Sequence, residues 1–377
     1  MKVGILGGGG RIGIRLAQWL VKNTQWQVAP LVRNQLSLSH LQETYPEARV
    51  VDVFNDDEPF DGCDIVLNLA RIRKQPGLDA KLNEELTSKV LSKFNGKLFV
   101  QFSSIEIYGA LLDEKTYNLD CPKPNTGYGL EKLTVEKVCQ MKADSPAKRV
   151  SLRVGNVFGS NLLWSSSTFN QCLKGVEQIP FDGNLPSNAI HISHLGKIIF
   201  WLGQNIDQLK PYEIFNANNS PALTWREFFD AHSSALKAQP LKGMKEEHSQ
   251  HIYDNLRSKL NKNPFLSAIT SLKNSGVVSV KRSKLKESDD FKRSAVLILN
   301  KVPDQLAKSI FSTGKKAVQL SGSGPGASVA TSEAPWLYSN LMENDQRMSV
   351  IPETSLEDIS LDLQDFAQNF LPSLTKV

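Results

Sequence analysis

Through the first half of the chain, short apolar runs rich in β-branched residues alternate with longer stretches of helical periodicity. Lys2 to Leu6 is an apolar run, Ile12 to Lys22 carries apolar residues at helical spacing, and Trp26 to Val32 is apolar again. The same pattern predicts strands at Arg49 to Val53, Asp64 to Leu69, Lys97 to Phe102 and Arg149 to Arg153, with helices at Asp79 to Phe94 and Gly129 to Met141. Strands that are apolar almost throughout belong in a sheet covered on both faces, and regular strand–helix alternation makes that sheet parallel. The expected class is therefore α/β with a doubly wound parallel sheet. After Gly159 the alternation stops. A polar segment from Ser160 to Asn170 takes the chain out of the sheet, and a short strand at Ala189 to Ile192 brings it back.

Composition narrows this picture. With 377 residues, 40% of them hydrophobic, the chain can build two lobes. Lys and Arg number 44 against 39 Asp and Glu, a net charge of +5 that is too small and too dispersed for nucleic acid to be the partner. Cys63, Cys121, Cys139 and Cys172 are widely spaced and form no metal or disulfide pattern, which points to a reducing, cytoplasmic setting. The glycine run and Arg11 and Arg15 interrupt the first apolar stretch too early for a signal peptide. Nowhere does an apolar run approach the roughly 18–20 residues of a membrane helix. From about Lys242 the character shifts, and eleven Lys or Arg face four Asp or Glu between Lys273 and Lys316. Helices are predicted there at Phe265 to Leu272 and Ser294 to Ile310, followed by a flexible Ser321 to Ser328. The charges read as a solvated helical face, with docking on an acidic partner or a membrane surface as the alternative. Apolar clusters such as Ala295 to Leu299 are expected to pack beside the substrate cleft.

Gly7, Gly10 and Gly13 lie directly after the first strand and open the first helix. In that position a tight turn needs a glycine, a phosphate can reach the backbone only where side chains are missing, and the last glycine lets helix and strand lie close. The amides of Arg11, Ile12 and Gly13 would then face a pyrophosphate, with the helix dipole adding attraction. The end of the second strand selects the dinucleotide. It offers Arg33 and no carboxylate, which favours NADP over NAD, because arginine meets a 2′-phosphate where an acid would meet the ribose hydroxyls. Asp52, after the third strand, could accept from the adenine amino group.

Ser103 and Ser104 end the strand that begins at Lys97, and Tyr128 and Lys132 follow one helical turn apart. That spacing puts phenol and ammonium on one helix face. A tyrosine titrates near pH 10 on its own, so acid–base work near neutrality needs a cation that favours its phenolate, and Lys132 would supply it. Ser104 would orient the substrate oxygen. His191 and His194 have no carboxylate or cysteine cluster to complete a metal site, and no metal is expected.

These residues together resemble the extended short-chain dehydrogenase/reductase superfamily, also called the NAD-dependent epimerase/dehydratase family, over roughly residues 1 to 235. Gly7, Gly10 and Gly13 match its glycine motif, and Ser104, Tyr128 and Lys132 match its catalytic serine, tyrosine and lysine. The run from Asp64 to Ala70 looks like its D-x-V-x-H-x-A strand with Asn68 in place of His, so the resemblance sets Leu69 and Ala70 beside the cofactor. Asn83 resembles its helix asparagine near the cofactor. Leu152 to Gly159 is similar to its L-R-x-x-N-V-Y-G segment, which implies a substrate role for Asn156. Phe181 to His194 is similar to a later run that brings His191 toward substrate. Two departures stand out. Ile105 and Glu106 replace the Asp-Glu pair of the 4,6-dehydratases, leaving Glu106 alone to handle a proton or bind substrate. Ser187 stands where many nucleotide-sugar enzymes carry an arginine.

The resemblance implies a Rossmann-type dinucleotide-binding domain over 1–160, its sheet completed by about 188–218. It also implies a smaller, mainly helical substrate lobe from 161–187 and 219–377, with a basic helical insertion at about 242–320. It implies an NADP- or NAD-dependent oxidoreductase or epimerase that transfers hydride at a secondary alcohol or ketone of a nucleotide sugar, and a homodimer is expected. A reductase of an apolar ketone or acyl substrate is the alternative. A non-catalytic NADP-sensing regulatory protein is the alternative of another class.

Overall fold

The computed structural model describes residues 1–251 and 342–374, apart from 74–78, 110–116, 125, 143–144, 175–177 and 245–246. The basic block from Lys273 to Lys316, its two predicted helices, Ala295 to Leu299 and the Ser321 to Ser328 segment lie outside the described residues.

Seven parallel strands form the main sheet: β1 (Lys2–Leu6), β2 (Gln27–Val32), β3 (Arg49–Val50), β4 (Ile65–Asn68), β5 (Leu98–Ser104), β6 (Lys148–Val154) and β10 (Tyr212–Ala217). Their spatial order is β10-β6-β5-β4-β1-β2-β3, so the chain runs outward from β1 to one edge and then from β4 to the other. That reversal puts a topological switch point between β1 and β4, where Leu6 pairs with Asn68. The α/β expectation holds, and it holds because β1, β4 and β5 are buried along nearly their whole length.

Two apolar layers sandwich the sheet. On one face α1 (Arg11–Asn23) turns Gly13, Leu16, Ala17 and Leu20 inward, the spacing of a single helix stripe. Beside it packs α6 (Ile192–Gln204), where a Cβ on Gly196 would come within 2.3 Å of the Trp19 ring. The opposite face is covered by α3 (Asp79–Lys93) and α4 (Gly127–Met141) through Leu86, Val90, Leu91, Val138 and Cys139, packed on Val66 and Phe99. A short α2 (Gln35–Ser39) follows β2, with Asn34 accepting from the amide of Ser37 as its cap.

Beyond β6 the chain builds a second, aromatic cluster. Two small parallel pairs, β7 (Asn156–Phe158) with β9 (Ala189–His191) and β8 (Gln178–Ile179) with β11 (Lys242–Gly243), lie outside the main sheet. With them go α5 (Leu163–Lys174), α7 (Trp225–Ala235) and α8 (Leu356–Leu374). Phe158, Phe169, Trp225, Phe228, Phe229, Leu363 and Phe366 form its core. The segment leading to α8 is tied back to the sheet end: Met342 donates to Asn188 Oδ1 at 2.9 Å, and Asn344 Oδ1 accepts from the Asn218 amide at 2.8 Å.

Two expectations about elements need correction. The strand predicted to Val53 ends at Val50, because the Asp52 carboxylate accepts from the amides of Phe54 and Asn55 and draws the chain into a turn. The polar stretch from Ser160 to Asn170 does leave the main sheet, and most of it is helix. Its buried face is Ser165, Thr168, Phe169 and Cys172, and the two small polar residues, Ser165 and Thr168, hide the helical repeat from a hydrophobicity pattern. The returning strand at Ala189 pairs with β7 rather than the main sheet, whose edge is completed by β10 instead.

Candidate functional site

The turn after β1 fits the switch point atom by atom. Gly7 has φ +86, and a Cβ there would stand 3.0 Å from the backbone nitrogen of Ala70 on the loop after β4. A Cβ on Gly13 would be 2.6 Å from the carbonyl oxygen of Gly7. Gly10 is the cap of α1 and offers no side chain to its first turn, which also carries no acidic residue. The amides of Arg11, Ile12 and Gly13 therefore open the helix without a capping side chain, while Ile14 begins the ladder on Gly10. A cradle with no room for side chains and a helix start with free donors suits a pyrophosphate.

Around it, the predicted cofactor residues fall into two groups. Leu69 and Ala70 are half-buried and border the glycine turn, and Arg33 is exposed at the end of β2, one residue beyond Val32, whose side chain a Cβ on Gly9 would meet. Asp52 and Asn83 are already engaged by the chain. The Asp52 carboxylate bonds Phe54, Asn55 and the Asn55 side chain, and these hydrogen bonds, with the Asn55 amide foremost, hold it below the usual carboxylate range. Asn83 is buried and its amide grips the main chain of Ile72 from both sides, at 2.8 and 2.9 Å, which fixes the loop after β4.

The second cluster lies at the carboxyl end of β5. Ser104 ends the strand and caps the one-turn 3₁₀ helix Ile105–Tyr108, accepting from the Glu106 amide at 3.2 Å. Its hydroxyl is close enough to the Tyr128 phenol to favour the phenolate slightly, the weakest of the influences on that group. The neighbouring Ser103 Oγ is buried with no hydrogen-bond partner, and of the two serines only Ser104 acts on the Tyr128 phenol. Thr126 starts α4 by accepting from the Gly129 amide, and Gly129 itself allows close approach, since a Cβ there would lie 2.4 Å from the Glu106 carbonyl oxygen. One turn along, Lys132 is buried; its Nζ donates to the Phe102 carbonyl at 2.8 Å and stands 5.6 Å from the Tyr128 ring centroid.

Electrostatics set these groups apart. Burial pushes the Tyr128 phenol up to about 12, against the pull of the Arg71 guanidinium. Burial pulls Lys132 down to about 8. Burial also raises Glu106 above the usual carboxylate range, partly offset by a hydrogen bond from Thr126 at 2.6 Å and by Arg71. Burial thus acts on both the Glu106 carboxyl and the Tyr128 phenol in the same direction, against their charged forms.

Two members of this cluster escape a reading of the sequence. Arg71 follows Ala70, and its guanidinium carbon lies 4.4 Å from the Tyr128 ring centroid. Glu131 holds it with two bonds of 2.7 Å. The only available hint is that Glu131 lies three residues after Tyr128, on the same helix face.

The residues proposed to meet substrate are placed differently. Asn156 is half-buried and donates weakly to the Ser187 carbonyl at 3.3 Å. His191 is buried, with Nδ1 2.7 Å from the Ser193 hydroxyl and Nε2 3.0 Å from Asp362 on α8, so both ring nitrogens are occupied. Ser187 is fully buried and its hydroxyl donates to the Leu223 carbonyl at 2.8 Å. Among the described residues no group of three or more His, Cys, Asp or Glu is arranged to hold a metal, and no helix is long and apolar enough to cross a membrane.

A family model described as the NAD dependent epimerase/dehydratase family matches residues 3–217. No curated protein sequence matches the chain. Among solved structures, the chain is similar to the UDP-glucuronic acid 4-epimerase of Bacillus cereus in complex with UDP-glucuronic acid and NAD. The likeness has a TM-score of 0.53 at 19% identity and covers 65% of this chain and 86% of that one. The same enzyme with NAD alone gives 0.53 at 20%, covering 65% and 87%. MoeE5 in complex with UDP-glucuronic acid and NAD gives 0.50 at 19%, covering 65% and 86%. At these identities the shared feature is the fold.

Proposed function

This chain belongs to the NAD dependent epimerase/dehydratase family, and from that premise we propose that it is an NAD(P)-dependent enzyme that moves hydride at a secondary alcohol or ketone of a nucleotide sugar, as an epimerase or a reductase. The observation that supports this best is the gathering of Ser104, at the end of β5, with Tyr128 and Lys132 on α4, the Lys132 ammonium 5.6 Å from the Tyr128 ring, at the same end of the sheet as the glycine turn. The glycine turn, Leu69 and Ala70 would hold the dinucleotide, with Arg33 against a 2′-phosphate. Bound there, the nicotinamide supplies the hydride donor or acceptor.

The chain's own residues handle the oxygen and its proton. Ser104 Oγ holds the substrate oxygen. Tyr128 Oη keeps its proton at neutral pH and gives it to that oxygen in reduction, and in the reverse direction takes it back. Lys132 Nζ, fixed on the Phe102 carbonyl, lends positive charge to the phenolate that remains. Asn156, at the start of β7, is proposed to meet the substrate on the side of the second lobe. A nucleotide sugar is the substrate carried by the solved relatives of this fold. The burial of Ser187, where an arginine would have to reach a nucleotide, favours a second reading, an apolar ketone or acyl substrate.

The test is a panel of UDP-sugars and apolar ketones offered with NADP(H) and NAD(H), followed by nicotinamide absorbance and by proton NMR of the sugar. Turnover of a nucleotide sugar, lost in Tyr128→Phe while cofactor still binds, is expected. General acid–base catalysis contributes roughly 10²–10⁴-fold, so a Tyr128→Phe enzyme that keeps more than about a tenth of wild-type kcat overturns the assignment. Turnover confined to apolar ketones would select the second reading.

A further inference from the structure

We infer that Arg71, clamped by Glu131 and laid on the face of Tyr128, is a positioning residue that supplies a second fixed cation to the site, so that Lys132 does not carry the task of favouring the Tyr128 phenolate alone. The inference rests on the role proposed above for Tyr128, but its geometry stands independently. The guanidinium carbon is 4.4 Å from the ring centroid, closer than the Lys132 ammonium at 5.6 Å. Its planar fork is spent bidentately on Glu131, Nε to one oxygen and an Nη to the other, with Cζ held over the ring.

The two cations differ in how long they stay charged. Lys132 is buried, its ammonium bonded to one neutral carbonyl, and burial brings it down to about 8, so its charge fades in mildly alkaline solution. Burial works against the Arg71 charge as well, but the hydrogen bonds and charge of Glu131 outweigh it and hold the guanidinium above its ordinary value. An arginine in that setting stays charged wherever the protein is folded.

The charged groups that face Tyr128 come from three elements. Arg71 reaches it from the loop after β4, Glu106 from the 3₁₀ turn after β5, and Glu131 and Lys132 from α4 itself; Asp79, at the start of α3, acts on Arg71. The two carboxylates oppose ionisation of the phenol, and burial opposes it more. Arg71 is the largest charge in its favour. A cation at this distance lowers such a group by about 1–3 pH units.

The proposal is tested by placing a fluorinated tyrosine, whose phenol titrates well below that of tyrosine, at position 128 and following it by fluorine NMR as pH is raised. The signal reports that ring alone and needs neither cofactor nor substrate. A wrong assignment of function would therefore show in the substrate panel and leave this measurement intact. In Arg71→Gln the midpoint is expected to rise by about one pH unit or more, and in Arg71→Lys to stay near wild type. Should Arg71→Gln fold poorly because Glu131 is left unpaired, the double variant Arg71→Gln/Glu131→Gln exchanges the ion pair for an amide pair. Its midpoint should still rise. An unchanged or lowered midpoint in whichever of these two variants folds overturns the proposal.

Discussion

A Cβ on Gly13 would stand 2.6 Å from the carbonyl oxygen of Gly7, so the first and last glycines of the turn after β1 are in mutual contact. Helix α1 can begin where it does only because Gly13 carries no side chain. Gly13→Ala should push α1 away from β1 and distort the amides that open it. We expect a stability loss of about 1–3 kcal/mol from overpacking and at least a tenfold weaker NADPH titration. Fluorescence titration and urea denaturation measure the two. Gly10→Ala, whose Cβ would meet only the Gly7 oxygen at 3.2 Å, should cost less stability than Gly13→Ala, and the reverse order would contradict the packing argument.

The proposed preference for NADP over NAD rests on Arg33. It is exposed at the end of β2, where the sequence supplies no acidic residue, a position where a 2′-phosphate gains a charge-assisted partner. Arg33→Asp should weaken NADPH binding at least tenfold while changing NADH binding much less, or improving it. Calorimetric titration of both nucleotides decides this, and equal losses would place Arg33 outside the site.

The strand–helix alternation and the Gly7, Tyr128 and Lys132 spacings made the parallel sheet and the candidate site legible, because each is a local pattern that the fold preserves. Other features depend on contacts far apart in sequence. Arg71 and Glu131 are 60 positions apart and read as ordinary surface charges until β4 and α4 are packed together. His191 looks free until Asp362, 171 positions later, is seen against its Nε2. α5 was hidden by a buried face made of Ser165 and Thr168, polar residues enclosed within the second cluster, where the Ser165 hydroxyl finds its partners and so needs no solvent.

The pairing of α8 with the body of the molecule gives a further prediction. The Asp362 carboxylate accepts from the Ser160 amide and hydroxyl at 2.8 Å and lies 3.0 Å from His191 Nε2. Burial would raise its pKa, but the contacts with His191 and Ser160 prevail and hold it below the ordinary value. Asp362→Ala leaves three polar groups without that partner, which should cost about 1–3 kcal/mol. Hydrogen exchange should also quicken in α8 before it does in β4 or β5. Uniform exchange throughout the molecule, or no loss of stability, would show that the apolar contacts of Leu363 and Phe366 hold α8 without help.

Acid should weaken the fold through two histidines that are buried in neutral form. His232, inside the aromatic cluster, has Nδ1 2.7 Å from the Phe228 carbonyl, so that nitrogen carries the proton, and Nε2 3.0 Å from Ser165 Oγ, whose hydroxyl donates to it. Burial, chiefly, pulls His232 down to about 4, and burial does the same to His194, which is 3.2 Å from the Thr354 hydroxyl. An unfolded histidine takes up its proton near pH 6.5. Between about 6.5 and 4 the unfolded chain therefore binds more protons than the folded one, and stability falls as pH is lowered through that window. Each pH unit that separates the folded from the unfolded midpoint is worth roughly 1.4 kcal/mol, so each histidine accounts for up to about 3 kcal/mol of loss. His232→Gln should cost stability at pH 7, since it disturbs a filled site. It should also make the decline between pH 6.5 and 4 shallower, by close to one proton. Urea midpoints collected across that range give the slope directly, and a variant slope equal to wild type would mean that His232 is already charged in the folded protein.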